Sequence, residues 1–143
     1  MGNSYSMKKI NYEDMQTAVK NPEIYMLINT LPVDNQDYLV ATTVTVEKEE
    51  AAINKYLKEN RGIKIIIYGK HCNDELVDKK YQQLLTLGFT NIYAYIGGLF
   101  EWLLLNDIYG KELFPIINNN GKKNIDILKY KPHPTLNISL IEY

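Results

Sequence analysis

The amino-acid sequence predicts an α/β fold, a single domain in which a mostly parallel central sheet is flanked by helices on both faces. Three observations lead there. The segment Ile63-Lys64-Ile65-Ile66-Ile67-Tyr68 is apolar on both faces at its centre, as a strand must be when helices cover both sides of its sheet. Two further short apolar runs, residues 24–28 and 92–96, are bounded by turn formers in the manner of buried strands. Segments with apolar residues every three to four positions separate these runs, and strand–helix alternation through short connections is how parallel strands are joined.

Taken in order, residues 1–9 read as a flexible arm and residues 10–115 as the domain, followed by a carboxy-terminal extension over 116–143. Asn11 can cap a first helix, with Glu13 and Asp14 at the positive end of its dipole and Ile10 and Met15 spaced as a hydrophobic staple. That helix should stop near Asn21-Pro22. After the strand at 24–28, residues 38–46 are rich in β formers and should hold a loop and a short strand. A second helix over 47–59 places Ala51, Ala52, Tyr56 and Leu57 on one face. Arg61-Gly62 ends it and the central strand follows. A third helix carries Leu76/Val77, Lys80/Tyr81 and Leu84/Leu85, and closes at Gly88, a helix-ending glycine with Phe89 placed to fold back. After the strand at 92–96, Gly97-Gly98 opens a helix over 99–106. Beyond Phe114-Pro115 the pattern weakens into a polar loop at 118–123 and a tail. The tail keeps Ile125, Ile127, Leu128, Leu136, Ile138, Leu140 and Ile141, and should pack on the domain or on a partner.

Composition narrows the function classes. The chain has 143 residues, 16 Lys+Arg against 17 Asp+Glu, a net charge of -1, and a 45% hydrophobic fraction. A real core is therefore available, and no basic footprint for nucleic acid is present. One cysteine excludes an internal disulfide framework, and with two distant histidines it leaves no metal-ligand pattern, so neither metal nor cofactor is expected. No apolar run approaches the roughly 18 residues a membrane span needs. With no secretory signal visible, a cytoplasmic location is expected.

The run Leu84-Leu85-Thr86-Leu87-Gly88-Phe89-Thr90-Asn91-Ile92-Tyr93, then Ile96-Gly97-Gly98-Leu99-Phe100-Glu101-Trp102, resembles the rhodanese family. There a helix ends in Leu-Gly-Phe, a strand follows, and a Gly-Gly pair opens a helix ending in Glu-Trp. The structural motif residues are Gly88, Gly97, Gly98 and Trp102. Gly88 is asked to adopt a left-handed conformation. The Gly97-Gly98 pair lets its backbone pass close to the neighbouring loop, and Trp102 can fill the space beside it. The resemblance implies a catalytic cysteine directly after the central strand, in a loop Cys-x-x-Gly-x-Arg-Ser that opens a helix. In this sequence that loop reads Gly69-Lys70-His71-Cys72-Asn73-Asp74. Counted forward from the strand the nucleophile position is Gly69, and counted back from Leu-Gly-Phe it is His71. The loop contains no arginine, and the family's early Asp-x-Arg is replaced by Asn29-Thr30-Leu31.

Cys72 is the one candidate nucleophile. A helix N-terminus and the cations Lys70 and His71 favour a thiolate, and Asp74, Glu75 and Asp78 oppose it. Gly69, Lys70, His71, Asn73 and Asp74 are the candidate loop residues for holding an anion. The missing arginine removes the bidentate clamp that thiosulfate or a phosphoryl group would use, which ranks a phosphatase last. The expected function is a binding or regulatory module on a degenerate active loop, with a protein partner or small anionic ligand. The alternative is a sulfurtransferase carrying a persulfide on Cys72. Met1-Gly2-Asn3-Ser4-Tyr5-Ser6 fits the N-myristoylation pattern at Gly2, with Lys8-Lys9 beside it, so peripheral membrane contact is a further expectation.

Overall fold

The computed structural model describes residues 7–72 and 74–119. The expectations placed on Gly2, Asn73 and the tail from residue 120 lie outside the described residues. In chain order the elements are β1 (Lys9–Ile10), α1 (Tyr12–Lys20), β2 (Tyr25–Asn29), β3 (Tyr38–Val40), α2 (Val46–Glu59), β4 (Lys64–Tyr68), α3 (Glu75–Leu87), β5 (Asn91–Tyr95), α4 (Gly98–Tyr109) and β6 (Ile116–Asn118), with a 3-10 turn at Val33–Asn35 between β2 and β3. The main sheet has the order β1-β5-β4-β2, all parallel. β3 and β6 pair antiparallel in a small second sheet.

β4 explains the architecture. Its side chains alternate across the sheet, as a period of two requires. Ile65 and Ile67 join Met26, Ile28, Ile92 and Ala94 under α2 and α3, while Ile66 and Tyr68 join Leu27 and Tyr95 under α1 and α4. Both faces are covered, and the α/β fold with a mostly parallel sheet stands as the sequence predicts.

The helix ends follow local chemistry. Asn11 accepts a hydrogen bond from the Asp14 N–H, and Asp14 returns one from the Asn11 N–H, a reciprocal capping box. Gly88 ends α3 with φ 115°, and the buried Phe89 turns back, its N–H bonding the Leu84 carbonyl.

The structure corrects several details. In α2 the inward face is Ala52, Ile53, Tyr56 and Leu57, all partly buried, and Ala51 points to solvent. In α3 the inward line is Val77, Tyr81 and Leu84, while Leu76 and Leu85 are exposed. α4 runs to Tyr109, three residues beyond the sequence expectation. Residues 116–118 form β6 against β3, and Lys9 joins the main sheet in β1, so paired backbone extends past both boundaries read from sequence. Trp102 ties this last segment down: it is fully buried, packs edge-on against Tyr95 and Phe114, and donates from Nε1 to the Pro115 carbonyl at 2.9 Å. Among the described residues no helix is long and apolar enough to cross a membrane.

Candidate functional site

β2, β4 and β5 end on the same edge of the sheet, and the segments that follow them meet there. Gly69 to Asp74 leave β4, Thr30 leaves β2, and the first turn of α4 leaves β5. In parallel α/β sheets this edge is where ligands bind.

At its centre is Asp74. The residue N-caps α3, its Oδ1 accepting from the Leu76 N–H at 2.9 Å. Its Oδ2 accepts from the Lys70 N–H at 3.2 Å and from the Thr30 hydroxyl at 3.3 Å. Thr30 is brought within reach because its own N–H bonds the Tyr68 carbonyl at 3.0 Å. The Asp74 side chain thereby fills the space that any side chain at Gly69 would need. A Cβ on Gly69 would lie 2.7 Å from Asp74 Cγ and 2.8 Å from Asp74 Cβ, distances that real Cβ atoms do not tolerate. The strand-anchored nucleophile position is thus both empty of a thiol and closed to one.

The amino end of α4 is committed as well. Its Leu99 and Phe100 N–H groups donate to the carbonyls of Gly69 and Lys70, each at 2.8 Å. Gly98 makes this approach possible. It has φ 69°, and a Cβ there would stand 2.8 Å from the Gly69 carbonyl oxygen and 3.0 Å from the His71 nitrogen. The close passage expected of the glycine pair is present. Beside Gly97 stands the Glu101 side chain, its Cβ 2.8 Å from a Cβ built on Gly97.

Lys70 is half-buried, and His71 and Cys72 are exposed. Cys72 therefore sits neither in the core nor at the closed position beside Gly69. The helix end it approaches already carries the Asp74 carboxylate. Of the residues singled out for an anion, Asp74 is the one that accepts the Lys70 N–H of the loop and the Leu76 N–H of α3. The amides of Lys70, Leu76, Leu99 and Phe100 are all engaged within the chain. The lone arginine is remote: Arg61 precedes β4, donates to the Leu57 carbonyl, and lies beside Gly88.

Two buried tyrosines brace the site from below, Tyr68 and Tyr95, paired across β4 and β5 as the last residue of each. The Tyr68 hydroxyl accepts from the Val40 N–H at 3.1 Å and shares a hydrogen bond with Thr43 at 2.7 Å. Tyr95 donates to Glu101 Oε1 at 2.5 Å. Burial pushes both hydroxyls well above the ordinary phenol range. At Tyr95 the Glu101 carboxylate adds to that rise, and at Tyr68 the bonds from Thr43 and Val40 oppose it. Sequence reasoning missed the Asp74–Thr30 contact and the Tyr95–Glu101 pair. Asp74 did carry a signal, an Asp immediately before an apolar-periodic run, which marks an N-cap. Nothing local announces Thr30 or Glu101 as its partners' neighbours.

Solved structures share this backbone fold. The solution structure of the rhodanese-like domain of the Alr3790 protein from Anabaena sp. is 14% identical, covering 92% of this chain and 92% of its own, with a TM-score of 0.57. The fold is rhodanese-like. The BH2092 protein from Bacillus halodurans is similar at 16% identity, over 87% of this chain and 85% of that one, with a TM-score of 0.63. The single-domain sulfurtransferase RDL2 from Saccharomyces cerevisiae is 19% identical over 79% of this chain and 99% of its own, with a TM-score of 0.53. No family model matches the chain, and no curated protein matches it in sequence. The rhodanese-like domain described here thus shares its backbone plan with these structures at low sequence identity, and its loop is the part that departs from the motif.

Proposed function

We propose that this rhodanese-like domain is a non-catalytic binding or regulatory module whose loop face engages a protein partner. The observation that supports this reading is the Asp74 carboxylate in the space beside Gly69. It accepts the Lys70 and Leu76 amides and the Thr30 hydroxyl, donors that an anionic substrate could use, and a second anion beside it would meet like-charge repulsion. That weighs against the small anionic ligand and in favour of a protein. Attachment to a membrane through a myristoyl group on Gly2 belongs to the same proposal.

The exposure of Cys72 favours one rival, persulfide transfer. In that reaction the Cys72 thiolate attacks the outer sulfur of thiosulfate, the sulfur–sulfur bond breaks, and sulfite leaves with the bonding pair. Intact-mass spectrometry of the full chain after thiosulfate treatment separates the two. The module reading expects no gain beyond that of Cys72→Ser. A gain of one sulfur atom on the wild type alone would refute it. The same measurement after co-expression with an N-myristoyltransferase should show the acyl mass on the wild type and not on Gly2→Ala, and an unmodified wild type removes the lipid from the proposal.

A further inference from the structure

We propose that a cleft at the amino ends of the main-sheet strands binds a small fused-ring aromatic carboxylate. The cleft stands at the far end of the sheet from the loop. Lys64 opens β4 and Tyr68 closes it, roughly 13 Å apart at about 3.3 Å per residue. Binding there does not depend on what the loop face engages.

The cleft lies on the α1 side of the sheet and has a volume of about 300 Å³. Its floor is Ile10, Tyr25, Lys64, Ile66 and Tyr93, and its wall is Asp14 and Thr17, one turn apart on α1. Strand register assembles the floor. Tyr25 pairs with Lys64, and Ile66 with Tyr93, so three adjacent strands present these side chains to one face at a period of two. Met15, Ala18 and Val19 seat α1 on the core, and the first turns of the helix leave this corner open.

Lys64 is the residue that calls for a ligand. A lysine on the covered face of a central strand is rarely left without a counter-charge. Lys64 is half-buried and forms no ion pair with a described carboxylate. Its Nζ stands 5.4 Å from the centroid of the Tyr25 ring, and Lys8 Nζ stands 5.8 Å from that of Tyr93. Both rings therefore already face an ammonium, and a cationic guest would meet like charge where a cation–π contact would have to form.

An anionic guest has the opposite balance. A carboxylate on Lys64 supplies the missing counter-charge, and a flat ring packs against Ile10, Ile66 and the two tyrosines. On the wall, Asp14 Oδ2 accepts from the Asn11 N–H at 3.5 Å, and Oδ1 has no partner among the described residues. That oxygen is an acceptor for a ring N–H. Size sets the ring count: an apolar cavity of roughly 150 Å³ takes benzene, so about twice that volume takes a fused bicycle.

Indole-5-carboxylate, with an acid at one end and a ring N–H at the other, is the probe. Titrated into the isotope-labelled full chain, it should shift the amides of Ile10, Tyr25, Lys64, Ile66 and Tyr93 along one saturable curve. Indole-5-carboxamide keeps the ring without the charge and should bind roughly tenfold more weakly. Lys64→Met keeps the apolar stem and should bring acid and amide to equal affinity. Thr17→Phe fills the cleft from an exposed helix position and should abolish the shifts, which decides the matter where Lys64→Met does not fold. Shifts that do not saturate at millimolar probe, or that spread over unrelated surfaces, overturn the proposal. So does equal affinity of acid and amide for the wild type, or probe binding that survives Thr17→Phe. Tighter binding of phenyltrimethylammonium at the same amides also overturns it, in favour of a cation site. Sulfur loading of Cys72 would sink the module reading while leaving these titrations unchanged.

Discussion

At position 69 the absent side chain is replaced from five residues away. The Asp74 carboxylate caps α3, bonds the Lys70 N–H and closes the volume beside Gly69, so one residue sets the helix start and the chemistry of the loop together. Gly69→Cys alone is therefore overpacked and should cost about 1–3 kcal/mol. Asp74→Ser keeps a capping oxygen and frees part of the volume. The double variant should recover most of the Gly69→Cys loss, a coupling of roughly 1 kcal/mol or more in a double-mutant cycle by urea denaturation. Additive effects would show that the two side chains do not compete for the space. Position by position, what could be read from sequence was what local chemistry dictates. Gly88 was legible because a helix end followed by Phe needs a left-handed residue, and Asn11 because a cap writes its own pattern. Asp74 was read as a loop carboxylate near a thiol, although its place before an apolar-periodic run also marks an N-cap. Its role depends on Thr30, which a different strand delivers.

Among the elements, the three long parallel strands and α1, α3 and α4 were readable because their burial leaves an uninterrupted apolar signature. β3 and β6 were not. Each has three residues, too few for a periodicity, and each exists because the other pairs with it. The inward face of α2 was misread by one position because Ala51 and Ala52 are chemically alike and only packing separates them. The joint between the loop and α4 is a contact of backbone with backbone, and it gives an element-scale expectation. Gly98→Ala must place a Cβ at φ 69° against the Gly69 carbonyl, which should cost about 1–3 kcal/mol from backbone strain alone. Gly88→Ala, also at positive φ, meets only the end of the Arg61 side chain at 3.2 Å and should cost less. Denaturation midpoints, with amide exchange at Leu99 and Phe100, would order the two. Equal costs would remove the close approach as the reason for the glycine pair.

For the molecule as a whole, the two tyrosines beneath the site tie folding to alkaline pH. Unfolded, each phenol ionises near pH 10, and folded, each holds its proton to higher pH. Below that value both states are neutral and the buried hydroxyls stabilise fully. Above it the unfolded chain releases protons that the native chain keeps, so stability falls as pH rises, by about 1.4 kcal/mol per pH unit for each tyrosine. Urea midpoints taken across pH 9 to 11 should decline, and Tyr68→Phe should flatten the decline by about half. A slope unchanged in that variant would place the titrating groups elsewhere.

The burial of Trp102 also makes the domain self-reporting. As the chain's one indole, set between Tyr95 and Phe114 and bonded to the Pro115 carbonyl, it emits from the seam where α4 grips the segment leading into β6. Its fluorescence is a native gauge of whether that seam is shut. The layer beneath α2 and α3 holds Tyr81 and no tryptophan, so emission excited in the indole band reports on the α1 and α4 side of the core alone.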